Sequence, residues 1–324
     1  MVNRWFEILQ GYQQLASLVQ SGFLSQPKWV LVHLVFFITH FRVKNESNLK
    51  FPCVLFIRIK LFCTMNNKDL IQVADILWSA ESSMKTCDPI RTIIGEQNIK
   101  DAYAIQMIIT QRKINRGDKI IGHKIGLTSH AVQKQMGVSQ PDFGSLTDRT
   151  QVTNGGSIGL SKLMQPKIEA EIAFVLKTDL DIEDPSREDI VNAIDYASPA
   201  IEIVGSRITD WNIRITDTVA DNASASHFVV GDKKVNLSDI DLINCRMRIE
   251  GQQGIVSEGI GSACLGNPIR AVQWLANTMI ELGTPLKQGE IILSGALGPM
   301  YTIESSGSYS AEIEGLGAAI VTLI

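Results

Sequence analysis

The chain has 324 residues, of which 45% are hydrophobic and 20% charged, a composition typical of a globular protein with a sizeable core. The formal net charge is −4 and no run of five like charges occurs, so nothing electrostatic suggests nucleic acid or an anionic membrane as a partner. The five cysteines lack CxxC spacing, which argues against a zinc site or a disulfide framework and favours a cytoplasmic location.

The first 64 residues differ in character from the rest, being basic and rich in short apolar runs. The runs at residues 29–38 and 51–62 are shorter than the ~20 apolar residues that a membrane-spanning helix needs. They also lack the order of basic, apolar and small residues found in a secretory signal. We therefore interpret residues 1–64 as a poorly ordered, non-native upstream extension. A membrane-anchoring extension is the alternative.

Two amphipathic helices are predicted after Met65. Leu70, Val73, Ala74 and Leu77 recur at three- and four-residue spacing and indicate a helix over residues 67–85, and a similar pattern indicates a second over residues 98–116. A strand at residues 119–126 and a short helix with Ser129 as its N-cap follow. Residues 65–150 are therefore expected to form a small helical N-terminal cap region.

Short strands dominate the sequence after residue 150. The predicted strands, each bounded by Gly, Asp or Pro, cover residues 168–176, 200–204, 227–230, 245–249, 291–294 and 318–323. Helices are predicted at residues 187–194 and 268–282. Because helices come first and strands afterwards, the order indicates an α+β fold with a β-rich domain at residues 151–324, rather than a doubly wound parallel sheet.

The most informative segment is residues 166–176 (PKIEAEIAFVL). Side chains alternate along a strand, so Glu169 and Glu171 are expected on one face and their apolar neighbours on the other. Two buried carboxylates repel each other, and a hard divalent cation such as Mg²⁺ or Mn²⁺ would neutralise them. The alternative is that both glutamates lie on a solvent-facing edge.

A third acidic residue, Glu202, lies in an apolar strand between Pro199 and Gly205. A charge in such a strand needs a partner, and Arg207 is one candidate. A metal ion shared with the two glutamates of the preceding strand is the other. Three carboxylates from two strands would leave open positions for substrate oxygens.

Six segments together resemble the 2-keto-4-pentenoate hydratases (2-hydroxypenta-2,4-dienoate hydratases) of the fumarylacetoacetate hydrolase superfamily, from about Asp69 to the C-terminus. Each is weakly specific alone, but their order is specific. They are residues 122–129 (GHKIGLTS), 140–144 (QPDFG), 166–176 (PKIEAEIAFVL), 199–211 (PAIEIVGSRITDW), 217–224 (DTVADNAS) and 294–300 (SGALGPM). The chain departs from the family at residues 225–227 (ASH), a difference that bears on the substrate tail it prefers rather than on the chemistry.

The resemblance implies a small helical domain followed by a mixed, rolled β-sandwich around a Mg²⁺ or Mn²⁺ ion on Glu169, Glu171 and Glu202. It also implies that Lys124 and Asp142 act on the substrate. From the residues alone, Lys124 could instead extend to solvent, and Asp142 could be a turn residue without a catalytic role. A homo-oligomer and its association with a homologous decarboxylase are expected as well.

Three further residues are candidates for substrate binding. Ser294 precedes two glycines, where the backbone could closely approach a carboxylate. Asn222 and Ser224 are weaker candidates, because Asn and Ser also cap turns.

The expected reaction is addition of water to a small 2-keto-enoate, namely 2-hydroxypenta-2,4-dienoate, in meta-cleavage degradation of aromatic compounds. The alternatives are a 4-oxalocrotonate decarboxylase of the same superfamily, a hydratase for a longer homologue such as 2-hydroxyhexa-2,4-dienoate, and a non-catalytic scaffold. Three retained metal carboxylates argue against the scaffold, since buried charges are costly.

Overall fold

The structure is a computed structural model that describes residues 66–324. The interpretation of residues 1–64 lies outside the described residues. None of the helices between residues 66 and 324 combines the length and apolar character that crossing a bilayer requires.

The helices of the described chain lie mostly in its first third. They are α1 (Asn67–Ser83), α2 (Arg91–Ile94), α3 (Ile99–Asn115), α4 (His130–Met136), α5 (Arg187–Ala193), α6 (Ile215–Ala220) and α7 (Pro268–Glu281). Helix α1 begins where the Asn66 side chain accepts hydrogen bonds from two backbone N–H groups, and it ends at Met84 in the left-handed conformation. Buried apolar residues of α1, α2, α3 and α6 form a core of their own.

The strands form two sheets. They are β1 (Ile120–Gly126), β2 (Asp142–Thr147), β3 (Gln151–Val152), β4 (Ser157–Ile158), β5 (Lys167–Leu176), β6 (Ile194–Val204), β7 (Ala225–Val230), β8 (Arg246–Gly251), β9 (Gly254–Ile260), β10 (Ile291–Leu293), β11 (Tyr301–Thr302), β12 (Gly307–Ile313) and β13 (Gly317–Leu323). The first sheet has the order β2-β1-β10-β5-β6-β7-β3, with β11 also paired to β5, and the second has the order β4-β13-β12-β8-β9.

The first sheet is mixed, because β10 runs parallel to β1 and antiparallel to β5. The main hydrophobic core is shared by the two sheets and α7, and its members include Phe174, Ile201, Leu275 and Val321. These features confirm the predicted α+β fold. The sheet also runs across the predicted boundary at residue 150, since β1 and β2 pair within the same sheet as β5. The division of the chain at that residue stays a prediction.

Several predicted elements have different bounds in the structure. The strand predicted at residues 200–204 is the end of the longer β6, which pairs with β5 along most of its length. Strands β2, β3, β4, β9, β11 and β12 were not predicted. Asp142, interpreted as a turn residue, is the first residue of β2.

Candidate metal centre

The register of two neighbouring strands brings the three glutamates together. Strand β5 pairs antiparallel with β6, and Glu169 lies directly opposite Glu202. Glu171 projects from the same face of β5, two residues further along. One carboxylate oxygen from each residue lies within 4.8 Å of the others.

All three carboxylates are buried. Glu169 is 9% exposed, and Glu171 and Glu202 are each 1% exposed, so the solvent-facing alternative is wrong. Burial raises the pKa of each carboxyl group, and the charge of Glu202 raises the pKa of Glu169 and Glu171 further. Without a cation, the protein therefore resists ionising all three carboxyl groups at once.

Lys124 supplies one positive charge to this cluster from β1. Its side chain is 4% exposed, and its Nζ lies 3.3 Å from Oε2 of Glu202 and donates a hydrogen bond of 3.0 Å to the Ala223 carbonyl. The alternative that Lys124 extends to solvent is thus excluded. Burial alone would lower its pKa, but the nearby carboxylates, Glu202 foremost, outweigh burial and raise the pKa.

Asp142 lies beside Lys124, on the neighbouring strand β2. It pairs with Gly126 across the two strands, is 2% exposed, and its Oδ1 has no hydrogen-bond partner. Burial raises its pKa to about 6, although the Lys124 ammonium opposes the shift. A carboxyl group with such a pKa can exchange protons near neutral pH.

Two glycines make room for this arrangement. A Cβ on Gly126 would lie 2.2 Å from Oδ1 of Asp142 and 3.3 Å from Nζ of Lys124. A Cβ on Gly144 would lie 2.3 Å from the Asn222 carbonyl oxygen. The distances of 2.2 Å and 2.3 Å are far shorter than a van der Waals contact, so only glycine fits at these two positions of β1 and β2.

Ser294 and Gly295 follow β10 and hold the glutamate strand. The Ser294 hydroxyl accepts a hydrogen bond from the Ile172 N–H at 3.1 Å and donates one to the Gly295 carbonyl at 3.0 Å. The Gly295 N–H donates to Oε2 of Glu171 at 2.7 Å. Ser294 is fully buried, and in the described structure its hydroxyl links the end of β10 to β5. Substrate binding by Ser294 stays a prediction. Sequence reasoning missed Gly295, whose glycine-rich context was the available signal.

Asn222 and Ser224 lie in a tight turn next to Lys124. The Asn222 amide accepts from the Ser145 N–H at 2.8 Å and donates to the Ser145 carbonyl at 3.0 Å, so it extends the edge of β2. The Ser224 hydroxyl lies 3.1 Å from the Thr218 hydroxyl. Both side chains are therefore engaged within the protein, and their predicted contact with substrate remains untested. Nothing in the sequence signalled the role of Ala223, because that residue acts through its carbonyl oxygen.

Arg207 does not pair with Glu202, which was one of the two alternatives. Its guanidinium forms a buried ion pair with Asp221. Lys124 is thus the cation nearest to Glu202 in the described structure, and neither carboxylate oxygen of Glu202 has a hydrogen bond of normal geometry.

The donor set fits a hard divalent cation. Three buried carboxylates converge, the Lys124 ammonium faces them, and the Glu202 oxygens make no hydrogen bond of normal geometry. Buried charges of this kind are tolerated when they coordinate a metal, and an all-oxygen set suits Mg²⁺ or Mn²⁺.

Known proteins are similar in sequence to most of this chain. A 2-keto-4-pentenoate hydratase of Paraburkholderia xenovorans (strain LB400) is 49% identical over 247 residues, which cover 76% of this chain and 92% of that protein. A 2-hydroxyhexa-2,4-dienoate hydratase of Comamonas testosteroni is 40% identical over 260 residues, covering 79% of this chain and 98% of the relative. No family model matches the chain.

A solved structure supports the fold. The 4-oxalocrotonate decarboxylase from Pseudomonas putida G7, complexed with magnesium and adipate, superposes with a TM-score of 0.77 at 33% identity. The superposition covers 81% of this chain and 99% of the decarboxylase.

Proposed function

The chain belongs to the 2-keto-4-pentenoate hydratase family of the fumarylacetoacetate hydrolase superfamily, and we propose that it hydrates 2-hydroxypenta-2,4-dienoate to 4-hydroxy-2-oxopentanoate. Family membership makes it an enzyme of the hydro-lyase class, and the reaction belongs to meta-cleavage degradation of aromatic compounds. The observation that carries the proposal is the convergence of three buried carboxylates with the Lys124–Asp142 pair.

Glu169, Glu171 and Glu202 would hold Mg²⁺ or Mn²⁺. Their burial and mutual repulsion support this assignment, as does the magnesium in the related decarboxylase. When bound, such an ion supplies Lewis-acid stabilisation of negative charge that develops on a substrate oxygen.

Lys124 would bind and orient the substrate. Its ammonium is buried and fixed by Ala223 and Glu202, so it presents a positive charge to the substrate carboxylate or to the enolate oxygen. A fixed positive charge in a site shielded from water stabilises a developing anion more than a positive charge in bulk water does.

Asp142 would move protons. Hydration begins when C5 gains a proton and the 2-hydroxyl group loses one. Water then adds at C4 and gives up a proton. Finally, C3 gains a proton. The sum is one water molecule added to the dienoate. A carboxyl group with a pKa of about 6 beside Lys124 is suited to donate and accept these protons in turn.

The test is an assay of the purified full chain with a panel of 2-hydroxydienoates. We expect loss of the dienoate absorbance without CO₂ release, abolition by EDTA, and recovery on adding Mn²⁺ or Mg²⁺. Unchanged turnover after Glu169→Ala would refute the metal assignment.

Two other reactions are outcomes of the same panel. The similarity to a 4-oxalocrotonate decarboxylase favours CO₂ release from the diacid as the second candidate. The Comamonas testosteroni relative favours the six-carbon dienoate as an alternative hydration substrate. Relative kcat/KM values decide among the three.

Assembly and location are further proposals. The family resemblance supports a homo-oligomer and an association with a homologous decarboxylase, which size-exclusion chromatography of the protein with and without that partner would test. The cysteine pattern supports a cytoplasmic location, which cell fractionation would test.

A further inference from the structure

The turn beside Lys124 has an unfavourable backbone conformation. Asn222, Ala223 and Ser224 have φ angles of 56°, 50° and 58°, although none of them is glycine. L-residues rarely adopt positive φ, so three in succession persist only where the surrounding structure fixes them.

This turn determines where the Lys124 ammonium lies. The Ala223 carbonyl accepts a hydrogen bond from Nζ at 3.0 Å, and Oε2 of Glu202 lies 3.3 Å from the same nitrogen. A bound metal ion would compete for Glu202, and of these two acceptors the Ala223 carbonyl would then be the one that still holds the ammonium in place. A small rotation of the turn would therefore move the ammonium.

Arg207 fixes both ends of the turn. Its Nη2 donates to the Asp221 carbonyl at 2.6 Å, immediately before the turn, and its Nη1 donates to the Ala225 carbonyl at 3.1 Å, immediately after it. Its Nε pairs with the Asp221 carboxylate, and its backbone N–H donates to the same carboxylate at 3.0 Å. Arg207 and Asp221 are 7% and 3% exposed, so water does not compete for these bonds.

We propose that Arg207 is a positioning residue for the hydration reaction, because its guanidinium clamps the 222–224 turn whose Ala223 carbonyl places the Lys124 ammonium. This inference rests on the proposed function for its catalytic consequence, but the geometric part stands on this chain's own contacts. A lysine at residue 207 would keep the charge. It could not bridge three acceptors as the planar guanidinium does.

The test compares Arg207→Lys with Arg91→Lys. Arg91 is the matched control, because it also binds a buried aspartate, Asp217, and a backbone carbonyl, that of Asn212, yet does not contact the 222–224 turn. Both variants should be less stable than the wild type. With saturating Mn²⁺ and below both unfolding transitions, Arg207→Lys should lower kcat by roughly 10- to 100-fold with a smaller change in KM, since displacements of about 1 Å have such effects. Arg91→Lys should leave kcat close to the wild-type value, because Arg91 contacts Asn212 and Asp217 and touches neither the 222–224 turn nor Lys124.

A crystal structure of Arg207→Lys supplies a readout that does not depend on activity. The Ala223 carbonyl should be displaced from hydrogen-bonding distance of the Lys124 ammonium. An undisplaced carbonyl, an unchanged kcat, or an equal loss of kcat in Arg91→Lys would each overturn the proposal. If the wild type hydrates none of the dienoates, the proposed function is wrong. The crystal structure of Arg207→Lys then decides by itself whether Arg207 positions the Ala223 carbonyl. If Arg207→Lys does not fold, Asp221→Asn, which keeps the side-chain shape and weakens the clamp, replaces it with the same expected outcomes.

Discussion

At the scale of single residues, Asp142 is the group whose chemistry depends most on its surroundings. The carboxyl is buried, its Oδ1 has no hydrogen-bond partner, and its pKa is raised to about 6. We expect Asp142→Asn to fold normally and to lower kcat by about 10²- to 10⁴-fold, the usual range for loss of a general acid or base. Steady-state kinetics measure this, with Asp195→Asn on the exposed side of β6 as the control. A fall of less than tenfold would remove Asp142 from the proton transfers.

Gly126 is required at its position because any side chain there would collide with the Asp142 carboxylate. Gly126→Ala places a methyl group 2.2 Å from the Asp142 carboxylate, so that carboxylate has to move. We expect activity to fall with little loss of secondary structure, as measured by kcat and far-UV circular dichroism. Gly159→Ala is the matched control, because its Cβ would meet the nearest atom at an ordinary 3.5 Å. Equal activity in the two variants would contradict this account.

His123 makes folding sensitive to acid. It is 5% exposed, its Nδ1 has no partner, and burial lowers its pKa to about 4 from 6.5. Between pH 6.5 and pH 4 the His123 imidazole binds a proton in the unfolded chain but stays neutral in the folded protein. The stability that His123 contributes is therefore present above pH 6.5 and is lost as the pH falls towards 4, at up to about 1.4 kcal/mol per pH unit.

As the pH falls from 6.5 to 4, we expect the free energy of unfolding of His123→Phe to rise relative to that of the wild type, as measured by urea denaturation at several pH values. The comparison with the wild type is needed because the buried glutamates of the site, whose pKa values are raised, contribute slopes of the opposite sign. His227, whose pKa is lowered in the same direction, contributes equally to both proteins. Parallel curves for the two proteins would show that His123 does not titrate as described.

At the scale of secondary-structure elements, the Ser294 hydroxyl joins the end of β10 to β5. Ser294→Ala leaves the Ile172 N–H, buried in the sheet, without its acceptor, and such a loss costs about 1–3 kcal/mol. We expect that decrease in the free energy of unfolding by urea denaturation, whereas Ser308→Ala on the exposed face of β12 should change it by less than about 0.5 kcal/mol. A higher KM at unchanged stability would instead favour direct substrate binding.

Elements with a one-sided apolar pattern are among those that the sequence predicted well. Helices α1 and α3 and strand β5 have such patterns, and their bounds agree to within a few residues. Strand β2 was missed because Pro141, Asp142 and Gly144 are turn formers, and it forms because the Asn222 amide and β1 pair with its two edges. Strand β12 could have been found, since its buried residues alternate with polar ones.

The candidate site was predictable to a similar degree. Alternation along β5 placed Glu169 and Glu171 on one face, but the pairing of Glu169 with Glu202 depends on strand register, which no local pattern reveals. The link from Lys124 to the Ala223 carbonyl was not predictable, because it joins backbone and side chain across 99 residues.

At the scale of the whole molecule, the metal and the fold should stabilise each other. Three buried carboxylates repel one another in the metal-free protein, so an ion that binds the folded state alone raises its stability, by about 2.7 kcal/mol at a concentration 100 times its Kd. We expect Mn²⁺ to raise the unfolding temperature of EDTA-treated wild type and of the surface control Glu304→Gln, but not of Glu171→Gln. Scanning calorimetry measures this, and an unchanged wild-type transition would contradict it.

The position of strand β10 in the sheet has a consequence for how the protein folds. The pair β1–β2 carries Lys124 and Asp142, the pair β5–β6 carries the glutamates, and the three residues of β10 lie between the two pairs. The two strands of each pair follow one another along the sequence, whereas residues 291–293 come after both pairs. Because β10 pairs with β1 on one side and with β5 on the other, we expect the lysine and the glutamates to share one site only after β10 has joined the sheet.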